Sequence, residues 1–268
     1  MRSSKVFTVD VVIAAAGSGK RMGAGRNKLL LNLQEEKEVV ENSPERISSE
    51  TKGLTLLEYG LKAFRQFPGI RTVFLVVSSS DRPVLEPLQE QEGLVLVEGG
   101  KRRQDSVHKA LEQIDQNDEP PDMVLIHDGA RIFCTEELIE RVLKGCREKG
   151  SAVPVIPLQD TVRKILPREG ATNGVMESWQ RSFSEADLTC ELLDRSELYA
   201  VQTPQGFRFE DLWKASLKSQ KENWEVTDDA SLLEKTGKSI HPVPGEAGNL
   251  KITTSEDLAW ARWKFQSA

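Results

Sequence analysis

The chain has 268 residues, with 36 Lys plus Arg against 42 Asp plus Glu and a formal net charge of −6. That length excludes a disulfide-stapled mini-domain, and the surplus of acids speaks against a broad polynucleotide-binding face, which needs clustered positive charge. A phosphate-bearing small molecule stays open, because one local basic cluster is enough to hold it.

Hydrophobic residues make up 38% and charged residues 29%, a globular rather than a disordered balance. No stretch reaches the roughly 20 apolar residues that span a bilayer, so no membrane partner is expected. The first apolar run is interrupted by Asp10, which favours a strand over a signal peptide and a cytoplasmic protein over a secreted one. The three cysteines, Cys134, Cys146 and Cys190, lack metal-ligand spacing and are expected to be reduced.

In chain order, Val9 to Ala15 is a continuous apolar run closed by glycines, the pattern of a buried parallel strand. Leu56, Leu57, Leu61 and Phe64 fall on one face of a helix. Further strands are expected at Val73–Val77, Leu94–Val97, Val124–Ile126 and Ala152–Ile156. Thr135, followed by Glu136 and Glu137, opens a helix whose apolar side carries Leu138, Ile139, Val142 and Leu143. Strands alternating with helices predict an α/β fold with a mostly parallel sheet, and ligands in such sheets bind beyond the carboxyl ends of the strands.

Two stretches break this alternation. Residues 34–53 are polar and charge-rich and read as a surface insertion or a lid. Residues 158–203 open with TVRKI and close with ELYAVQT, both strand-like, around a polar middle holding Trp179 and Cys190. This layout suggests a projecting β-arm of the kind that packs on another subunit. The whole chain, 1–268, is expected to be a single domain carrying both features.

The sharpest motif follows the first strand, AAAGSGKRMGAGRNK from Ala14 to Lys28. Its small residues allow close backbone approach, and successive N–H groups can cradle phosphate oxygens. Lys20, Arg21, Arg26 and Lys28 add positive charge there. The loop is not a Walker A loop, because Ala14 stands at the first glycine position and Arg21 at the position of the metal-binding hydroxyl. Nor is it a dinucleotide fingerprint, because Met22 stands where the third glycine belongs.

From this loop onward the sequence resembles the 2-C-methyl-D-erythritol 4-phosphate cytidylyltransferases, a family of nucleotidyltransferases with a Rossmann-like sheet. The loop is similar to that family's A-A-G-x-G-x-R-M followed by a lysine. Gly99-Gly100-Lys101-Arg102-Arg103-Gln104-Asp105-Ser106-Val107, His127-Asp128-Gly129-Ala130-Arg131, Asp160-Thr161, Thr203-Pro204-Gln205, Thr227-Asp228-Asp229-Ala230-Ser231 and Gly248-Asn249-Leu250-Lys251-Ile252-Thr253 match further family segments in the same order. Five positions depart from the pattern: Asn27 replaces a proline before the lysine and Leu29 a glutamine after it, Gly129 an alanine, Ile132 a proline after the arginine, and Lys101 an acid.

The resemblance implies transfer of a cytidylyl group from CTP to a polyol phosphate, with Mg2+ as cofactor and pyrophosphate as leaving group. It implies that Arg21, Lys28 and Lys251 are catalytic and that Asp128 holds the metal. Ala15, Ala16, Gly17, Ser18, Gly100 and Ser106 would bind the nucleotide. Arg131, Thr161 and Thr203 would face the polyol phosphate, joined by Arg195 from the neighbouring subunit of a homodimer formed through the arm. A ribitol-5-phosphate cytidylyltransferase shares loop and chemistry and is the nearest alternative. A non-catalytic nucleotide-binding protein and a sugar-1-phosphate nucleotidyltransferase using UTP or GTP are the others. His127 reads as a packing or hydrogen-bonding residue rather than a catalytic one.

Overall fold

The computed structural model describes residues 7–17, 27–34, 54–167 and 188–267. Contacts divide the chain into two compact units, residues 1–154 with 202–268 and residues 155–201. The second unit takes in most of residues 158–203, but Gln202 and Thr203 belong to the first.

The first unit is built on a sheet whose strands are β1 (Val9–Ala14), β2 (Ile70–Val77), β3 (Leu94–Glu98), β4 (Met123–Asp128), the first four residues of β5 (Ser151–Pro157), β9 (Gln205–Arg208) and β10 (Pro242–Pro244). Their order across the sheet is β10-β5-β9-β4-β1-β2-β3. β1 pairs in parallel with both β2 and β4, and β2 with β3. The register sets Ala14 beside Val76 on one side and beside Asp128 on the other. The loops after β1 and β4 therefore leave the sheet side by side. β9 runs antiparallel to β4 and β5. Four residues following a proline carry too little periodicity to reveal such a strand, so it is absent from the strands expected above.

The apolar runs form strands because both faces of the sheet are covered: Val11, Val12, Leu75, Val76, Leu125 and Ile126 are all fully buried. Helix α1 (Leu56–Gln66) starts in a capping box, in which Thr55 and Glu58 bond each other's backbone N–H. It buries Leu56, Leu57, Leu61 and Phe64 as the periodicity predicts, each such side chain contributing about 1.5–3 kcal/mol. The short helix α2 (Arg82–Leu85) and helix α3 (Arg103–Asp115) flank β3 in the chain. Helix α4 (Glu136–Lys149) is capped by Thr135, whose side chain accepts from the Leu138 N–H, and ends at Gly150 with φ 89°.

Beyond β9 come α5 (Phe209–Glu222), α6 (Ala230–Lys235) and α7 (Ser255–Gln266). Helix α7 opens in a second capping box, Thr254 with Asp257. It packs Leu258 and Ala261 into a cluster with Leu33, Leu56, Ile132, Phe133 and Ile252. Trp260 meets Phe133 edge-on at 5.5 Å, whereas Trp263, one turn away, is exposed.

In the second unit, β6 (Arg163–Pro167) and β7 (Leu188–Leu192) form an antiparallel pair. β8 (Tyr199–Val201) runs antiparallel to the last residues of β5. The polar middle of the expected arm thus contains a strand, and Cys190 lies on it. Trp179, like most of the 34–53 insertion, falls outside the described residues.

Candidate functional site

At the carboxyl ends of β1, β3 and β4 the first unit opens a cleft of about 620 Å3. It is lined by Ala14 to Gly17, by Asn27 to Leu29, by Gly100 to Arg103 with Ser106, by Asp128 and Ala130, and by Lys251 and Thr253. Segments far apart in the sequence meet here because parallel strands end at one edge of the sheet.

After β1 the chain turns sharply. The Ala15 N–H is engaged by the Val76 carbonyl at 2.8 Å, and its carbonyl accepts from the Asn27 side chain at 3.0 Å. Ala15 therefore shapes the wall, while Ala16 and Gly17 follow it along the cleft. Gly99 must be glycine, since a Cβ there would stand 2.6 Å from the Ala16 Cβ. Ser18 and Arg21 lie outside the described residues.

Asn27 is a site residue that the sequence marks only as a departure from the family pattern. It is buried, and its amide also donates to Asp81 at 2.9 Å while its Oδ1 accepts the Leu29 N–H at 3.1 Å. It thereby caps the 3-10 turn Lys28–Leu30 and aims Lys28. The available signal is an Asn immediately before a basic residue, an N-cap pattern. The Lys28 ammonium donates to the Ile252 carbonyl.

Between β3 and α3, Ser106 organises the loop that the resemblance assigns to the base. Its hydroxyl accepts the Gly100 N–H at 2.9 Å and donates to the Arg102 carbonyl at 3.0 Å. Lys101 and Arg102 are exposed, and Arg102 pairs with Asp105 at 2.8 Å.

Asp128 is the electrostatic centre of the cleft. Its Oδ2 accepts from Lys251 Nζ at 2.7 Å and its Oδ1 from Arg103 Nε at 3.1 Å. Burial pushes the carboxyl upward, but the charges of Arg103 and Lys251 outweigh it and hold the group well below the usual carboxylate range. Arg103 also reaches Asp229 at 2.7 Å. Burial lowers that guanidinium, and its two carboxylate partners more than restore it. Asp229 is fully buried and raised by burial, with Arg103 opposing. Neighbouring Asp228 accepts from Gln205 at 2.8 Å. The sequence shows the segments of Arg103 and Asp229 without pairing them, since nothing local joins residues so far apart.

Arg131 donates to the Asn249 carbonyl at 2.8 Å, and burial lowers its guanidinium. Thr203 is buried, with its hydroxyl accepting the Asp128 N–H at 3.0 Å. Thr161 and Arg195 belong to the second unit, where both are exposed and Arg195 donates to the Gln159 carbonyl. The described residues thus bring together Ala15, Ala16, Gly17, Lys28, Gly100, Ser106, Asp128 and Lys251 around one cleft. Arg131 and Thr203 are tied into the backbone next to Asp128.

A family profile described as 2-C-methyl-D-erythritol 4-phosphate cytidylyltransferase matches residues 41–267. A protein of that name from Bacillus cytotoxicus is 33% identical over 252 residues, 92% of this chain and 93% of its own. Another from Bacillus velezensis is 34% identical over 256 residues, 94% of this chain and 93% of its own. The crystal structure of 2-C-methyl-D-erythritol 4-phosphate cytidylyltransferase from Thermus thermophilus superposes with a TM-score of 0.68 at 30% identity, covering 97% of this chain and 99% of that one.

Proposed function

The chain belongs to the 2-C-methyl-D-erythritol 4-phosphate cytidylyltransferase family of nucleotidyltransferases, and on that premise we propose how its residues carry out CTP-dependent cytidylyl transfer to 2-C-methyl-D-erythritol 4-phosphate. A phosphate oxygen of the polyol phosphate attacks the α-phosphorus of CTP. The new P–O bond forms as the bond to the β-phosphate bridging oxygen breaks, and pyrophosphate leaves with that electron pair. The attacking phosphate is already ionised near neutral pH, so the protein supplies position and positive charge rather than a general base.

Lys28, Lys251 and Arg21 neutralise the charge that develops on the phosphoryl oxygens. Ala16, Gly17 and Ser18 offer backbone to the triphosphate, and the wall formed by Ala15, Gly100 and Ser106 takes the cytidine. Arg131 orients the polyol phosphate, and Thr203 serves it only by holding the Asp128 backbone, because its buried hydroxyl is already shared between the Asp128 N–H and His127. The resemblance adds Thr161 to that substrate, with Arg195 contributed by a second copy. Asp128 is the residue that would hold Mg2+, and to do so its carboxylate would exchange its bonds from Lys251 and Arg103 for the ion. Among the described residues no cluster of three His, Cys, Asp or Glu side chains forms, and one carboxylate at an open cleft suits an ion that completes its shell with phosphate oxygens and water. Bound there, Mg2+ would shield triphosphate charge.

The observation that carries this reading is the convergence of Lys28, Lys251, Asp128 and the Gly100 loop on a single cleft beside the loop after β1. A homodimer is supported by Ile165, Leu192, Tyr199 and Val201, large apolar residues exposed within the second unit. One catalytic domain with an appended arm accounts for both units. Three free cysteines suit a reducing compartment, the cytoplasm. Among the described residues no helix is long and apolar enough to cross a membrane.

The test is pyrophosphate release with CTP and Mg2+ on offering methylerythritol 4-phosphate or ribitol 5-phosphate. Turnover is expected with the first, and turnover with ribitol 5-phosphate alone would overturn the reading.

A further inference from the structure

Behind Asp128 lies a closed ring of hydrogen bonds that no sequence motif discloses. The Thr203 hydroxyl donates to His127 Nδ1 at 3.1 Å, and His127 Nε2–H donates to the Arg131 carbonyl at 3.0 Å. Arg131 Nη1 donates to the Asn249 carbonyl at 2.8 Å, and Asn249 Nδ2 donates to the Thr203 carbonyl at 2.8 Å. The direction of the ring follows from elementary chemistry. A carbonyl can only accept, so His127 carries its proton on Nε2, Nδ1 is left as an acceptor, and the Thr203 hydroxyl must point its hydrogen there. The hydroxyl oxygen then accepts the Asp128 N–H at 3.0 Å.

His127, Thr203 and Asn249 are buried, and the imidazole packs on the Phe64 ring at 4.6 Å. The ring joins three segments of chain. One presents Asp128, the neighbour of His127, and another presents Lys251, two residues after Asn249. Those two side chains meet at 2.7 Å in the cleft. Each bond is costly to break in a water-poor interior, and four of them closing on one another permit one arrangement of the backbone they join.

We propose that His127 is a positioning residue for cytidylyl transfer, a one-way hydrogen-bond relay that holds the Asp128 and Lys251 backbones at their working separation without touching substrate. The inference rests on the transfer reading for its kinetic arm only. Groups that orient a site from behind typically change activity by 10–100-fold when removed.

The experiment compares His127→Phe, which keeps ring volume against Phe64, with Thr203→Val, Thr203→Ser and the His127→Phe/Thr203→Val double variant. kcat and KM are measured well below each melting temperature. Each of the two single breaks should lower kcat 10–100-fold with KM for the polyol phosphate within about threefold, and Thr203→Ser should recover most of kcat. The double variant should lose no more than the worse single, because one relay is broken twice. In the ligand-free wild-type protein, imidazole 15N shifts should report the proton of His127 on Nε2. A proton on Nδ1 overturns the relay whatever the substrate proves to be. Multiplicative losses in the double variant, a KM effect for Thr203→Val with kcat intact, or a Thr203→Ser variant no better than Thr203→Val overturn the positioning role. Should His127→Phe fail to fold, the Thr203 pair and the tautomer decide.

Discussion

The two units handle polar and apolar groups in opposite ways. In the first, polar side chains are drawn inside and given hydrogen-bond or ion-pair partners: Asn27, Gln104, His127, Thr203, Gln205, Asp229 and Asn249 are all buried and each is engaged. In the second, apolar side chains are left outside, with Ile165, Leu192, Tyr199 and Val201 exposed on short strands. A buried polar network is costly unless satisfied, and satisfied it allows one geometry only. An exposed apolar face is incomplete until something covers it. The first unit thus has the character of a pre-organised site, and the second that of a surface awaiting a partner.

The largest expected effect breaks the chemistry of the first unit and leaves its architecture standing. Lys28→Ala should lower kcat by about 10²–10³-fold, the usual loss when one donor to a developing oxyanion is removed. Its melting temperature should stay within a few degrees of wild type, because Lys28 is half-buried at the cleft wall rather than in the core. Near-normal turnover would remove Lys28 from the catalytic set.

Arg71→Ala is the converse, an attack on stability at the other end of the same sheet. Asp10, near the start of β1, is fully buried and takes two bonds from Arg71, at 3.0 and 2.7 Å. Removing the arginine leaves a buried carboxylate without its cation. Breaking such pairs costs about 3–5 kcal/mol, and here about 2–3 kcal/mol is expected because water reaches the partly exposed Arg71. Denaturant unfolding should show the loss with kcat unchanged. A parallel loss of activity would mean that the two ends of the sheet are coupled.

How much of this is legible in the sequence follows the range of the signals. Leu56, Leu57, Leu61 and Phe64 can be placed on one helix face because helical periodicity is local, and Thr135 can be placed at a helix start for the same reason. The basic loop and Asp128 are legible because residue type and chain order carry them. Asn27 is not, because its value lies in reaching Ala15 and Asp81 at once. The bond between Arg103 and Asp229 and the ring through His127 and Asn249 exist only after the sheet has brought distant segments together. Gly129, another departure from the family pattern, acquires a reason in the same way. A Cβ there would press on the Ala14 carbonyl and the Leu29 side chain at 3.2 Å.

On the second unit, Leu192→Asp tests whether the exposed face is covered by another copy of the chain. Leu192 stands opposite Arg163 on the β6–β7 pair, and Ile165 stands opposite Cys190 on the same face. A charge in the middle of an isologous contact meets its own copy across the two-fold axis. Light scattering at micromolar concentration should show a dimer for wild type and a monomer of about half that mass for the variant. A wild-type monomer with full activity would end the dimer proposal.

The smallest effect sharpens the contrast most directly, because it uses the same chemical group in both units. Cys134 and Cys146 are buried in the first unit, while Cys190 is exposed on β7. Burial raises both core thiols, Cys146 to about 12, so they offer neither access nor thiolate to a reagent at pH 8. Cys190 shares its strand face with Leu192, two residues on. If a second copy covers that face, a disulfide reagent should label Cys190 slowly in the wild-type dimer and several-fold faster in Leu192→Asp. Cys134 and Cys146 should stay unlabelled in both until the protein is unfolded. Equal Cys190 rates in the two proteins would place the contact between copies on another face of the arm. Labelling of Cys146 in the folded protein would show that the core of the first unit opens more readily than its packing implies.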